Sequence, residues 1–114
     1  RVQNITYAGK MQAFFSEYDL LLTPTVAIPA FEVGTNGPRE IDGKKVDPLG
    51  WMAFTYPFNI TGQPAASVPC GRTDDGLPVG LQIVGKRFDE STVLKAAAAF
   101  EEAAPWADNW PSLV

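Results

Sequence analysis

Gly76-Leu77-Pro78-Val79-Gly80-Leu81-Gln82-Ile83-Val84-Gly85 decides the fold of this chain. Val79 to Gly85 reads as the returning strand of a hairpin. Ala65 to Gly71 reads as its partner. Asp74-Asp75-Gly76 between them is a turn signal, with Gly76 free to take positive φ. The two strands therefore form an antiparallel hairpin whose loop is longer than two residues. Immediately downstream lies a helix. Asp89 is placed to cap it, Glu90 suits the positive end of its dipole, and Pro105 ends it. Phe88 and Val93 are spaced for a hydrophobic staple. Val93, Ala97, Phe100 and Ala104 share one face, and the Ala96–Ala99 run permits close packing on a sheet.

Working upstream, Tyr7, Met11, Phe14 and Phe15 fall at i, i+4, i+7 and i+8, one apolar stripe of a helix. Leu20-Leu21-Leu22 is a short continuous apolar run, which suits a buried strand better than a helix because Pro24 and Pro29 stop any helical continuation. Pro29 to Gly50 is broken by Gly34, Gly37, Pro38, Gly43 and Pro48, and reads as a long loop. Within it, Asp42-Gly43 marks a small hairpin between Ile41 and Val46. Trp51 to Ile60 suits a short helix, with Pro57 in its first turn or kinking it and Gly62 as its left-handed closing residue. Trp106 and Trp110 in the tail are expected to cover an apolar edge. The fold class is α/β.

Size and composition narrow the function classes. The chain has 114 residues, enough for one domain at most. Its formal net charge is −4, and its largest basic runs are the pairs Lys44–Lys45 and Lys86–Arg87. That argues against a nucleic-acid footprint, which needs a basic stripe to neutralise phosphates. No apolar run approaches the roughly 18 residues of a membrane span. Cys70 is the single cysteine, so no disulfide forms within the chain and a cytoplasmic setting is expected. Histidine is absent, which removes Ser–His–Asp and Cys–His arrangements and any His-ligated metal. No metal or cofactor is expected.

Four stretches in order carry a resemblance: Thr23-Pro24-Thr25 after Tyr18-Asp19-Leu20-Leu21-Leu22, then Asn59-Ile60-Thr61-Gly62-Gln63-Pro64-Ala65, then Gly76 to Gly85, then Phe88-Asp89-Glu90-Ser91. From about Tyr18 to Phe100, apart from Glu32–Gly50, the chain resembles the C-terminal part of the amidase signature family, hydrolases of carbon–nitrogen amide bonds. The resemblance implies the distal part of an α/β/α sandwich with a mixed sheet, residues 1–114 forming a C-terminal portion of the amidase domain. It also implies a Ser–Ser–Lys mechanism: one serine attacks the amide carbonyl, while a second serine and a lysine shuttle the proton. The family's nucleophile lies in a Gly-Gly-Ser-Ser-Gly-Gly-like loop upstream, and no such string occurs here. The chain opens on Arg1 rather than Met, which fits a fragment, and the isolated chain is expected to be inactive.

Candidate chemistry within the chain is correspondingly sparse. Ser67 sits inside a strand without flanking glycine, and reads as structural. Cys70 has no histidine partner or local helix N-terminus, and reads as a small buried hydrophobe. Lys10, Lys44, Lys45, Lys86 and Lys95 read as solvated side chains. Asn59, Thr61 and Gln63 read as turn formers around Gly62 and Pro64. No catalytic residue is therefore expected in this chain.

Trp51, Met52 and Phe54 are the candidate substrate-binding residues, either pocket wall or simple core. In the glutamine-dependent transamidation branch of the family, the position matching Met52 is an aspartate that holds the substrate's amino group. Methionine there favours an apolar or aromatic small-molecule amide. The expected partners are the missing N-terminal part of the same enzyme and, through uncovered strand edges and apolar faces, other copies of the chain. Two rival readings are the A-subunit of a glutamyl-tRNA amidotransferase and a stand-alone, non-catalytic binding or assembly module.

Overall fold

The computed structural model describes residues 2–112. It contains helix α1 (Val2–Glu17), strand β1 (Leu20–Pro24), the two-residue strands β2 (Glu40–Ile41) and β3 (Lys44–Lys45), and a 3-10 turn at Gly50–Met52. Helix α2 (Tyr56–Thr61), strands β4 (Ala65–Arg72) and β5 (Pro78–Gly85), and helix α3 (Glu90–Ala103) follow. β1, β5 and β4 form a sheet in that order, and both pairings are antiparallel. The hairpin and the terminal helix stand where the sequence places them. Of the mixed sheet expected for the parent fold, the described residues hold antiparallel pairs only.

β5 is the central strand and is buried from Gln82 to Gly85, whereas β1, expected as a buried strand, lies at the sheet edge with Leu22 57% exposed. Side chains alternate across a strand, so Ile83 and Val84 point to opposite sides. Val84 packs with Phe15 of α1 and Phe58 of α2, flanked by Met11, Phe14 and Leu21. Ile83 packs with Val68 of β4 and Val93 of α3, flanked by Leu20, Ala66, Leu81, Ala96, Ala97 and Phe100. Helices thus cover both faces of the sheet. Burying each such aliphatic side chain stabilises the fold by about 1.5–3 kcal/mol. α3 lies close to the sheet at Gly85, where a Cβ would fall 2.6 Å from Val93 Cγ2.

The α3 cap forms as its sequence requires. Asp89 accepts from the Thr92 amide at 3.2 Å and from the Thr92 hydroxyl at 2.7 Å. The staple does not form. Phe88 has a φ of 67° and is 79% exposed. This left-handed residue leads the chain into the cap and carries the ring away from Val93. The ring instead lies beneath the Arg87 guanidinium, 4.8 Å from its carbon. Within the tail, Trp106 is half-buried, whereas Trp110 is 80% exposed and covers no edge.

Local signals in the loops translate directly. Asp42 and Gly43 both take positive φ, 51° and 72°, as a two-residue hairpin turn between β2 and β3 needs. Gly76 takes φ 89° in the β4–β5 loop, where its amide bonds the Thr73 carbonyl at 2.9 Å. The helix expected over Trp51–Ile60 is divided. The 3-10 turn ends before Ala53, and α2 starts at Tyr56 with Pro57 in its first turn. Proline lacks the N–H that a continuous helix would use, so the break falls just ahead of it. Gly62 closes α2 at φ 75°, its amide bonding the Phe58 carbonyl at 2.9 Å.

Candidate functional site

The stretch that holds Trp51, Met52 and Phe54 is anchored to the face of the sheet that carries α1 and α2. Thr23, Gln82 and Ser67 lie opposite one another in the strand registers, one from each of β1, β5 and β4. They make a polar row across the sheet. Gln82 is only 4% exposed. Its Nε2 donates to Thr23 Oγ1 at 2.8 Å and to the Phe54 carbonyl at 2.9 Å. The Thr23 hydroxyl in turn donates to the Pro24 carbonyl at 2.9 Å. Both amide hydrogens of a buried glutamine are thereby satisfied, as burial demands.

A second tether holds the other end of the stretch. The Ala27 amide donates to the Trp51 carbonyl at 3.0 Å. The Trp51 ring meets Phe31 edge to face, with centroids 5.3 Å apart. It also lies against Gly37, where a Cβ would fall 2.6 Å from Trp51 Cδ1, and Gly37 has a φ of 102°. Only glycine accommodates both the close indole and that backbone. The irregular segment after β1 thus folds back onto the 3-10 turn. Between the tethers, the Met52 carbonyl accepts from the amide and hydroxyl of Thr55, at 3.1 and 3.2 Å. Trp51 and Met52 are half-buried and Phe54 is 38% exposed. None of the three carries a charge.

Within the polar row, Ser67 Oγ lies 2.7 Å from Thr25 Oγ1. A hydroxyl cannot take the proton of another hydroxyl near neutral pH, so this pair has no activated nucleophile. Ser67 acts as a link between β4 and the residue following β1. Cys70 departs from the expected burial and is exposed. The cause is a β-bulge: Pro69 pairs with Gly80 and Gly71 with Val79, which leaves Cys70 as the extra residue on an edge strand. Its thiol faces the Val79 carbonyl at 3.5 Å.

The remaining candidates are dispersed. Lys86 is not simply solvated: its Nζ meets Asp19 Oδ1 at 3.2 Å, on the partly exposed surface where such pairs contribute about 0–1 kcal/mol. Lys10, Lys44, Lys45 and Lys95 are exposed. Asn59 is exposed, and the turn after α2 is set by Gly62. Thr61 is buried and its hydroxyl returns to the Pro57 carbonyl at 3.3 Å, while Gln63 is half-buried. Among the described residues, no three His, Cys, Asp or Glu side chains gather as a metal site. No helix among them is long and apolar enough to cross a membrane.

Gln82 is the residue that motif and spacing do not single out, because it stands as one letter of a longer apolar run. Its signal is chemical: a lone amide inside Leu81-Gln82-Ile83-Val84 has to find partners when the strand is buried.

The amidase family model matches residues 1–94. The chain belongs to the amidase family. Over 102 residues it is 48% identical to the A-subunit of glutamyl-tRNA(Gln) amidotransferase of Geobacillus stearothermophilus, covering 87% of this chain and 19% of that protein. Over 101 residues it is 42% identical to an acylamidase of Rhodococcus erythropolis, covering 87% of this chain and 21% of that enzyme. Among solved structures, a bacterial aryl acylamidase of the amidase signature family superposes with a TM-score of 0.82 at 44% identity, over 92% of this chain and 22% of that one. 6-Aminohexanoate cyclic dimer hydrolase superposes with a TM-score of 0.77 at 38% identity, over 90% of this chain and 23% of that one. The amidase chain described here thus spans about a fifth of the length of these relatives. Its arrangement of helices about an antiparallel sheet is that of amidase signature enzymes.

Proposed function

We propose that this chain is the C-terminal segment of an amidase that hydrolyses apolar or aromatic amides to a carboxylate and an amine or ammonia. The Ser–Ser–Lys machinery belongs to the upstream part of the same polypeptide, so the isolated segment is inactive. In the intact enzyme, Trp51, Met52 and Phe54 form one wall of the substrate pocket. The observation that carries this reading is that these three uncharged, partly exposed residues are held at both ends, the Trp51 carbonyl by the Ala27 amide after β1 and the Phe54 carbonyl by Gln82 of the sheet. Met52 is the decisive position. A thioether there packs on apolar or aromatic groups and offers no charge to the ammonium of free glutamine. The acylamidase relatives support the same substrate class. The cytoplasmic setting expected from a single cysteine belongs to this proposal too.

The test is the full-length polypeptide assayed with an anilide and with glutamine. Hydrolysis of the anilide with no glutaminase activity supports the reading. Met52→Asp should then lower kcat/KM for the anilide by about 10–100-fold, as expected when a charge is forced against an apolar substrate.

The resemblance to amidotransferase A-subunits, 48% identity to that of Geobacillus stearothermophilus, favours a second reading as part of a glutamine-dependent amidotransferase. Glutamine hydrolysis that exceeds anilide hydrolysis would select it. A full-length protein inactive on both would point to a non-catalytic assembly module.

A further inference from the structure

We propose that Gln82 is a positioning residue for substrate binding, acting through the backbone of Phe54. The inference rests on the reading of Trp51, Met52 and Phe54 as a pocket wall. It extends that reading to a side chain that lies beneath the wall, buried at 4% exposure in the central strand.

Three observations combine. First, a glutamine in the middle of the apolar strand β5 is costly unless its amide is bonded, and an aliphatic side chain would pack there without that cost. Second, its Nε2 reaches its register partner Thr23 on β1, at Oγ1 and 2.8 Å, and also the Phe54 carbonyl outside the sheet at 2.9 Å. Third, Phe54 lies between the 3-10 turn and α2, outside regular structure. The helical ladders on either side do not fix its carbonyl. The wall therefore hangs from two points, the Ala27 amide at Trp51 and the Gln82 amide at Phe54. The Thr23 hydroxyl orients the Gln82 amide, since it accepts from Nε2 and spends its own hydrogen on the Pro24 carbonyl. Removing the Gln82 donor leaves the Trp51 end attached and releases the Phe54 end. The effect falls on substrates large enough to touch the wall.

The experiment uses the full-length polypeptide, with para-nitroacetanilide as a substrate that carries an aromatic group for the wall to pack on and acetamide as one that carries none. Gln82→Met keeps length and volume but has no donor. It is expected to raise KM for the anilide about tenfold, with kcat within about twofold and acetamide kcat/KM unchanged, as for loss of one hydrogen bond used in binding. Thr23→Val is the second variant, should Gln82→Met fail to fold. It removes the residue that orients the amide, and is expected to raise KM for the anilide about threefold with the same split. A Gln82→Met enzyme with wild-type KM for the anilide overturns the proposal. So does one that loses kcat equally on both substrates, because that pattern belongs to a general structural role. Met52→Ala separates the two levels. If Met52→Ala raises KM for the anilide and Gln82→Met does not, the positioning role fails and the wall stands. If Met52→Ala leaves KM unchanged, the wall itself fails and the positioning role falls with it.

Discussion

Ser67 Oγ and Thr25 Oγ1 lie 2.7 Å apart directly above Gly80. A Cβ built on Gly80 would stand 2.8 Å from the first oxygen and 2.7 Å from the second. Glycine is therefore required here by the neighbours across the sheet, while its own backbone conformation is open to any residue. Gly80→Ala should destabilise the fold by about 1–3 kcal/mol, the usual effect of overpacking a filled position. Urea denaturation measures it. In a Ser67→Ala background the same substitution should cost less, because one of the two crowded oxygens is gone. Equal costs in both backgrounds would show that the hydroxyl pair does not set the spacing.

Val93 is the residue through which α3 docks. It is 3% exposed, packs with Val68 and Ile83, and sits against Gly85. Val93→Ala should lower the unfolding free energy by about 2 kcal/mol, since transfer energy is lost and a cavity is left. Leu94→Ala, one position along and 65% exposed, should change it by less than about 0.5 kcal/mol. A similar loss at both positions would contradict the assigned helix face.

Asp89 couples the α3 cap to pH. Its carboxylate is held below the ordinary value of 3.8, first by the hydrogen bond from the Thr92 side chain and next by that from the Thr92 backbone. A carboxyl depressed in the folded state contributes stability that is fully present above its unfolded value. That contribution is lost as pH falls through the folded value. Asp89→Asn can cap the helix without titrating. The stability difference between wild type and Asp89→Asn should therefore be constant from pH 7 to about 5, and shift against the wild type below 3.8. Paired urea titrations across that range read the difference. An acid shift of the opposite sign would exclude the cap as its source.

The isolated segment should self-associate. β1 and β4 are both edge strands of the sheet, and Leu22, Tyr56, Ile60 and Val79 are exposed on or beside it. Unpaired edges and apolar patches of this kind are covered in stable proteins. Size-exclusion chromatography with light scattering should show mass rising with concentration, and Leu22→Lys should reduce it. A monodisperse monomer at high concentration would sink the prediction.

What is local was legible in the residues alone. The two strands of the hairpin, the Asp42-Gly43 turn, the left-handed Gly62 and the Asp89 cap each rest on residues within a few positions of one another. Their geometry follows from steric limits and short-range hydrogen bonds that any context preserves. The family was legible for a related reason, since its motifs are contiguous and ordered. Other features belonged to tertiary structure. The break between the 3-10 turn and α2, the outward turn of Phe88 and the exposure of Cys70 depend on backbone geometry that one residue's preferences do not specify.

The candidate wall shows the division most clearly. Its residue types are visible in Trp51-Met52-Ala53-Phe54, but the groups that hold it lie 24 and 28 residues away, at Ala27 and Gln82. A buried amide must find partners, yet which partners it finds is settled only when strands from distant parts of the chain pair and bring Thr23 and the Phe54 carbonyl within reach.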